Sequence, residues 1–323
     1  MQVGLIGINH KLADLKLREI LAKACDKRFS SIPYSDFQHI LLSTCNRTEI
    51  YFSSSDLAET HIKILQILRQ EVSESFDKQL YSFFGLDCFI HLSKVTAGLD
   101  SACIAETEIQ GQVKNTYEKN RIENKLCFDL HYLFQKSLAI GKQVRSSLNI
   151  PQGLPDFEDA LFEIAASHVP DIRLSNILFV GASTINKKIV SFLEKKNLSK
   201  LSLYSRSKQK WGIKTENNLE NWVDYDIVIF GSNGQNYIIS SAPKNAPKLI
   251  FDLSVPRNVD PILSLCTTLY NIDDVQSDLC IKRQNLYTLL AEGSELIHEL
   301  TRRHLDLFQQ KYENKLKIAA MIA

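Results

Sequence analysis

From Ile177 onward the chain repeats one pattern, a short run of strand-forming residues followed by a stretch of different periodicity. The runs are Ile177-Leu178-Phe179-Val180, Leu201-Ser202-Leu203-Tyr204, Ile227-Val228-Ile229-Phe230, Leu249-Ile250-Phe251-Asp252-Leu253 and Thr268–Ile272, with a helical stretch at Lys187–Glu194. Aliphatic runs this short, without strict alternation, read as strands buried on both faces. Strands separated by helices are joined by crossovers, which restricts the segment to a parallel sheet covered by helices.

The rest of the chain reads differently. Up to about residue 145, strand signals at Val3–Ile8 and Ile40–Phe52 sit among helical stretches such as Glu59–Gln70 and Phe134–Leu148. Pro151, Gly153 and Pro155 mark a boundary or hinge. From about residue 276 the pattern is one long helix. Leu279, Leu286, Leu300 and Leu307 recur at sevens, with Leu290 and Ile297 between them and Gly293 as the interruption. Such a stripe suits packing on a partner or on its own chain. The expected organisation is an N-terminal α+β domain over 1–148, a parallel-sheet α/β domain over 149–275 and a C-terminal long helix over 276–323.

A length of 323 residues with 44% hydrophobic content supports two or three real cores, and a formal net charge of +1 gives no global field for nucleic acid. Seven cysteines without a C-x-x-C pair argue against both a disulfide framework and a zinc site. Met1 leads straight into Val3–Ile8 without a signal-peptide pattern, and no apolar run approaches the roughly 20 residues of a membrane span. A reduced, cytoplasmic protein is expected.

One cysteine stands apart. Ser43-Thr44-Cys45-Asn46-Arg47-Thr48-Glu49 is a polar break between two strands, a place where a thiol meets a substrate. A thiol attacks as thiolate, and a nearby cation lowers its pKa from about 8.5. Arg47 is the candidate cation. The competing reading is a small buried hydrophobe, the usual state of a thiol that forms no disulfide.

The first turn of the parallel-sheet domain is Gly181-Ala182-Ser183-Thr184-Ile185-Asn186. A dinucleotide fingerprint G-x-G-x-x-G/A has glycines where Ser183 and Asn186 stand, though the N–H groups of a helix start still bind anions. Arg206, 25 residues after Gly181 and flanked by Ser205, Ser207 and Lys208, suits a 2′-phosphate better than free ribose hydroxyls. NADPH is therefore preferred over NADH, against the alternative of a solvated basic turn. Glu106, Glu108 and Gln112 could recognise an amino group or form a solvated helix face. His91 lies between Ile90 and Leu92, a core setting from which acid/base work near neutral pH is still open.

Taken in order, these segments resemble the glutamyl-tRNA reductase family. The likeness is carried by Gly7-Ile8-Asn9-His10 with Leu17-Arg18-Glu19, by Ser43–Tyr51, by Gly98–Lys114, by Phe134-Gln135-Lys136 with Gly141–Arg145, by Asp252–Arg257 and by Tyr270–Asp274. The resemblance implies a Rossmann-like NADP-binding domain and the NADPH-dependent reduction of glutamyl-tRNA(Glu) to glutamate-1-semialdehyde through a cysteine thioester. It makes Cys45 the nucleophile and gives His91 a role in activity. Thr44, Asn46, Arg47, Ser101, Glu106, Thr107, Glu108 and Gln112 become substrate-pocket residues, with Arg47 on the α-carboxylate or the side-chain carboxylate. Gly181 to Asn186 (Ala182, Ser183, Thr184 and Ile185 included) and Ser205-Arg206-Ser207 become the cofactor site. Ser183 departs from the family's second glycine, Glu108 from its usual glutamine and Ala105 from its glycine. The implied partners are tRNA(Glu) charged with glutamate, a second copy of the chain, and glutamate-1-semialdehyde aminomutase receiving the product; 276–323 would begin a dimerisation domain, truncated here. Two other readings stay open: an NADP-dependent dehydrogenase of the shikimate dehydrogenase kind, and a non-catalytic tRNA-binding or regulatory homologue.

Overall fold

In the computed structural model, which describes residues 1–30, 34–101, 108–123, 126–148, 155–207, 211–232, 234, 236–241, 246–282 and 287–322, the first strand signal becomes β1 (Gly4–Asn9) and the second splits into β2 (Gln38–Ser43) and β3 (Arg47–Ser53). With β4 (Tyr81–Phe84) they form an antiparallel sheet in the order β2-β3-β1-β4. Side chains alternate across a strand, so each face of this sheet has its own core. Ile6, Ile8, Ile50 and Phe52 pack with α1 (Leu15–Phe29) and α2 (Leu57–Glu71). Leu5, Leu42 and Tyr51 pack on the other side with α3 (Gly85–Ala97), α4 (Glu108–Glu123) and α5 (Phe128–Ser147). Asp14 and Asp56 cap α1 and α2 by accepting backbone N–H groups of their first turns. Gly98, in left-handed backbone (φ 75°), ends α3 and turns the chain toward Asp100.

The second unit spans residues 153–283, and the first comprises 1–152 with 284–323. Its strands are β5 (Ile177–Val180), β6 (Leu201–Tyr204), β7 (Lys214–Glu216), β8 (Ile227–Phe230), β9 (Leu249–Asp252) and β10 (Thr268–Asn271). All pairs are parallel and the order is β10-β9-β8-β5-β6-β7. Counted from β5, that is the 3-2-1-4-5-6 order of doubly wound dinucleotide-binding sheets, with its reversal between β5 and β8. The helices of this unit are α6 (Phe157–His168), α7 (Thr184–Lys195) and α8 (Ile272–Lys282). β7 has no apolar signature because Lys-Thr-Glu is a short, largely exposed edge strand.

The single helix expected from residue 276 is two helices. α8 belongs to the second unit, where Leu279 is buried, and α9 (Tyr287–Ile322) belongs to the first. The sevenfold leucine pattern therefore joined two separate stripes; Leu286 lies outside the described residues. Among the described side chains of α9, Ile297, Leu300, Thr301 and Phe308 are buried, spaced by three, four and seven as one helical face. Phe308 meets Phe128 and Tyr132 of α5 at ring distances of 5.3 and 5.0 Å, so the stripe packs on its own chain, and Leu307 is left 40% exposed. Among the described residues no helix is long and apolar enough to cross a membrane, and no cysteine forms a disulfide.

Gly7 is opposite Glu49 on one neighbouring strand and Tyr81 on the other. A Cβ there would lie 2.8 Å from the Tyr81 ring and 2.9 Å from Glu49 Cγ. Gly7→Ala is expected to lower stability by about 1–3 kcal/mol through overpacking, read from urea unfolding. Gly111→Ala, on α4 with nothing near its added carbon, is the control and should be neutral or stabilising.

Candidate active site

Cys45 sits at the tip of the β2–β3 hairpin. The Thr44 N–H donates to the Arg47 carbonyl at 2.8 Å, which leaves Cys45 and Asn46 as the two residues of the tip. Thr44 Oγ1 accepts from the N–H groups of Asn46 (3.3 Å) and Arg47 (3.2 Å), a local bond that holds the chain in a tight turn. Two further elements pin it. The His10 N–H donates to the Asn46 carbonyl at 3.0 Å, and Arg18 Nη1 of α1 donates to the Cys45 carbonyl at 2.6 Å. A half-buried thiol is thus carried on a backbone held from both sides.

Beneath the tip, period-two alternation puts Arg47, Glu49 and Tyr51 on one face of β3. Arg47 is 1% exposed and Glu49 is fully buried. Arg47 Nη1 donates to Glu49 Oε1 at 2.9 Å and to Asp100 Oδ2 at 3.0 Å, and Nη2 donates to the Asp100 carbonyl at 2.5 Å. The guanidinium read as the cation beside the thiol is therefore already neutralised by two carboxylates. Glu49 also accepts from Tyr51 (2.7 Å), Tyr81 (2.6 Å) and His91 Nε2 (2.8 Å). Burial alone would raise the Glu49 acid, but Arg47 and then His91 hold it well below the usual carboxylate range. For Arg47, burial works against the charge and Glu49 outweighs it. An ionised carboxylate only accepts, so His91 Nε2 is the donor in this bond. The ring stacks on Phe83 at 5.0 Å.

Around this core, Asp100 Oδ1 also accepts from Lys11 Nζ at 2.6 Å. His10 is pushed down to about 4 by burial first, and then by Arg47, Lys11 and Arg18, so it is neutral at neutral pH. Among the described residues, the buried His10 Nδ1, Asn46 Oδ1 and Ser101 Oγ find no hydrogen-bond partner. Such atoms are costly unless something fills their valence. Glu108 and Gln112 lie four apart on α4, both half-buried; Glu106 and Thr107 lie outside the described residues. Glu49, Tyr81, His10, Arg18 and Asp100 were given no role by sequence. Glu49 could have been found from its place two residues after Arg47 on a strand, whereas Asp100 is 53 residues away and leaves no local signal.

The second unit carries a cleft of about 620 Å³ at the carboxyl ends of β5, β6 and β8, where doubly wound sheets bind dinucleotides. Gly181, Ala182, Ser183 and Ser205-Arg206-Ser207 line it. Gly181 has φ 97°, and a Cβ there would be 2.4 Å from the Gly231 carbonyl O, so no other residue makes this turn unstrained. Ser183, at the place of the second glycine, caps α7 by accepting the Asn186 N–H at 3.2 Å. Asn186 is fully buried behind the cleft, and its Nδ2 donates to the Gly181 carbonyl at 2.9 Å. The space it takes is given by Gly231, where a Cβ would come within 2.6 Å of Asn186 Oδ1. Thr184 is exposed and Ile185 half-buried. On the far wall Ser232 donates to Asn258 Oδ1 at 2.6 Å, and the Asn258 and Val259 N–H groups each donate to Asp252 at 2.8 Å. Burial pushes the Asp252 acid up to about 7, with those N–H groups pulling the other way. A positive-φ glycine, a capped helix start and an exposed arginine fit a dinucleotide phosphate.

The depressed Glu49 acid fixes a pH dependence. A carboxylate whose folded pKa lies below its ordinary 4.5 stabilises the fold above that value and loses the contribution as pH falls. Unfolding free energy is expected to drop from about pH 5 downward, and Glu49→Gln should reduce that slope while lowering stability at pH 7, measured by denaturant titration across pH.

Comparison with known proteins agrees with this geometry. The family model for the N-terminal domain of glutamyl-tRNAGlu reductase matches residues 6–148, and that for shikimate / quinate 5-dehydrogenase matches residues 163–277. The second match concerns the nucleotide-binding unit, and the reading of the whole chain as a dehydrogenase of the shikimate kind is not favoured. A solved glutamyl-tRNA reductase from Methanopyrus kandleri shares the fold, with a TM-score of 0.53 at 21% identity over 98% of this chain and 82% of that one. The glutamyl-tRNA reductase of Chlamydia abortus is 32% identical over 88% of both chains. With the enzyme of Chlamydia pneumoniae 34% identical across 80% of this chain and 78% of its own, the chain belongs to the glutamyl-tRNA reductase family.

Proposed function

We propose that this chain reduces glutamyl-tRNA(Glu) to glutamate-1-semialdehyde with NADPH, through a thioester on Cys45. The observation that carries the reading is the hairpin tip itself: a thiol on a doubly pinned turn, above a buried Arg47–Glu49–His91 cluster and beside unpartnered polar atoms. The Cys45 thiolate attacks the ester carbonyl, an S–C bond forms, the C–O bond to the tRNA ribose breaks, and the tRNA hydroxyl leaves with a proton. That proton is the one the Cys45 thiol gives up on ionising, and His91 Nδ1 is the proposed ring nitrogen that carries it to the departing ribose oxygen. Dividing the reduction this way avoids direct attack on a carboxylate. Bound NADPH would supply the hydride that releases the aldehyde and returns the thiolate. Because the α-carboxyl group is the one esterified to tRNA, only the side-chain carboxylate is left for Arg47. The α-carboxylate alternative drops out on that chemistry.

Gly181, Ser183 and Arg206 are the proposed cofactor contacts, with Asn186 acting from behind. The non-catalytic reading rested on missing glycines, and their replacement by a cap and a brace removes its support. Thr44, Asn46, Ser101, Glu108 and Gln112 are retained as proposed substrate contacts, and Glu106 and Thr107 from the resemblance alone. Pairing of two copies and transfer of product to the aminomutase also come from the resemblance; Leu307 and Tyr312 are exposed apolar side chains of α9 that pairing would cover. A catalytic thiol and a charged tRNA both suit a reducing, cytoplasmic setting.

Cys45→Ser should cut turnover with glutamyl-tRNA and NADPH to below about a tenth, a barrier increase above roughly 1.4 kcal/mol, with unchanged thermal unfolding. A serine variant that stays active would end the thioester mechanism. Arg206→Ala should weaken NADPH while leaving NADH binding nearly unchanged, since only NADPH carries the 2′-phosphate; calorimetric titration of both separates this from a structural role, which would weaken the two alike.

A further inference from the structure

We propose that Asp100 is a specificity-determining residue: its carboxylate holds Arg47 as an internal stand-in for the substrate and is exchanged when a glutamyl ester binds. The substrate's side-chain carboxylate takes Arg47, and its α-ammonium takes Asp100. This rests on the reductase reading above.

The two carboxylates on Arg47 are unequal. Glu49 is fully buried and accepts from Arg47, Tyr51, Tyr81 and His91, so moving it would strand several buried donors. The Asp100 side chain is 20% exposed and is divided between Arg47 at 3.0 Å and Lys11 at 2.6 Å. Lys11 is half exposed and can follow it. Asp100 is therefore the partner that can leave, and Lys11 keeps it from being lost to solvent. A buried guanidinium stripped of one partner is strongly unfavourable, so the incoming carboxylate must arrive as Asp100 departs.

Charge balance then selects the ligand. Arg47 and Lys11 against Glu49 and Asp100 sum to zero, and neutral His10 adds nothing. Arg18 stays on the Cys45 carbonyl and His91 on Glu49, so neither alters the difference between states. A ligand bringing only a carboxylate leaves an uncompensated negative charge. A glutamyl ester brings one carboxylate and one ammonium and keeps the sum at zero. Of the polar groups on such an ester, the ammonium is the one that donates hydrogen bonds. Ser101 Oγ, next in the chain to Asp100, and Asn46 Oδ1, next to Arg47, are both buried and without a partner among the described residues, and each can accept from it.

The test uses the full chain without NADPH. Cys45 acylation is followed by mass spectrometry with glutamyl-tRNA and with the same tRNA carrying a glutaryl group, which lacks only the amine. The unmodified chain should prefer glutamyl-tRNA by about tenfold or more, the scale expected for one desolvated charge pair. Asp100→Asn should slow glutamyl transfer by about that factor and leave glutaryl transfer unchanged or faster, so that the preference collapses. Equal losses on both substrates, or no loss on glutamyl-tRNA, would overturn the assignment. If Asp100→Asn does not fold, Lys11→Met decides. It should raise KM for glutamyl-tRNA at constant kcat, because the departed carboxylate is held less well, and an unchanged KM overturns the proposal. Absence of any Cys45 adduct from glutamyl-tRNA in the unmodified chain overturns the reductase reading itself, and this inference with it.

Discussion

A guanidinium removed from water must be matched where it stands, and in this chain Arg47 is matched by Glu49 two residues further along the same strand. That pair organises the first unit. Glu49 gathers hydroxyls from β3 and β4 and a ring nitrogen from α3, so the sheet and the helix above it are joined through one carboxylate. Gly7 leaves the room in which Glu49 and Tyr81 meet. The hairpin tip that carries Cys45 ends one residue before Arg47, so the position of the thiol is set by the same buried charges.

Such a site is rigid on its inner side and exchangeable on its outer side. The inner side consists of Glu49 and the Arg47, Tyr51, Tyr81 and His91 groups bonded to it, and breaking any of these bonds leaves a buried group short of a partner. The outer side consists of Asp100, Lys11 and polar atoms with unmet valence. This division suits a site that must hold a nucleophile still while accepting a substrate bearing opposite charges.

Much of the fold was legible in the sequence because buried parallel strands have a strong local signature. β5, β6, β8, β9 and β10 are short runs whose neighbours change periodicity, and none depends on distant residues to be seen. β7 was invisible since an exposed edge strand has no apolar pattern. The leucine repeat misled because spacing records which residues share a face but not which core they face. Cys45 and Arg47 stood out by their polar setting between strands, whereas the pairing of Arg47 with Asp100 joins segments 53 residues apart and belongs to the tertiary structure alone.

The glycine missing from position 186 has in effect crossed the interface. In the usual fingerprint the helix gives up its side chain so that helix and strand can approach. Here Asn186 keeps a side chain, and Gly231, at the end of the neighbouring strand, gives up its own. Residues 186 and 231 thus form a lock and a recess whose contents are interchangeable in principle but not independently. A larger residue at 231 collides with Asn186, and a glycine at 186 opens a hollow under the turn that carries Gly181. A Cβ at 231 would also lie 2.8 Å from Ser183 Oγ, so one recess serves both departures from the glycine pattern, and a search for the nucleotide motif by glycines along a single segment would pass over chains built this way.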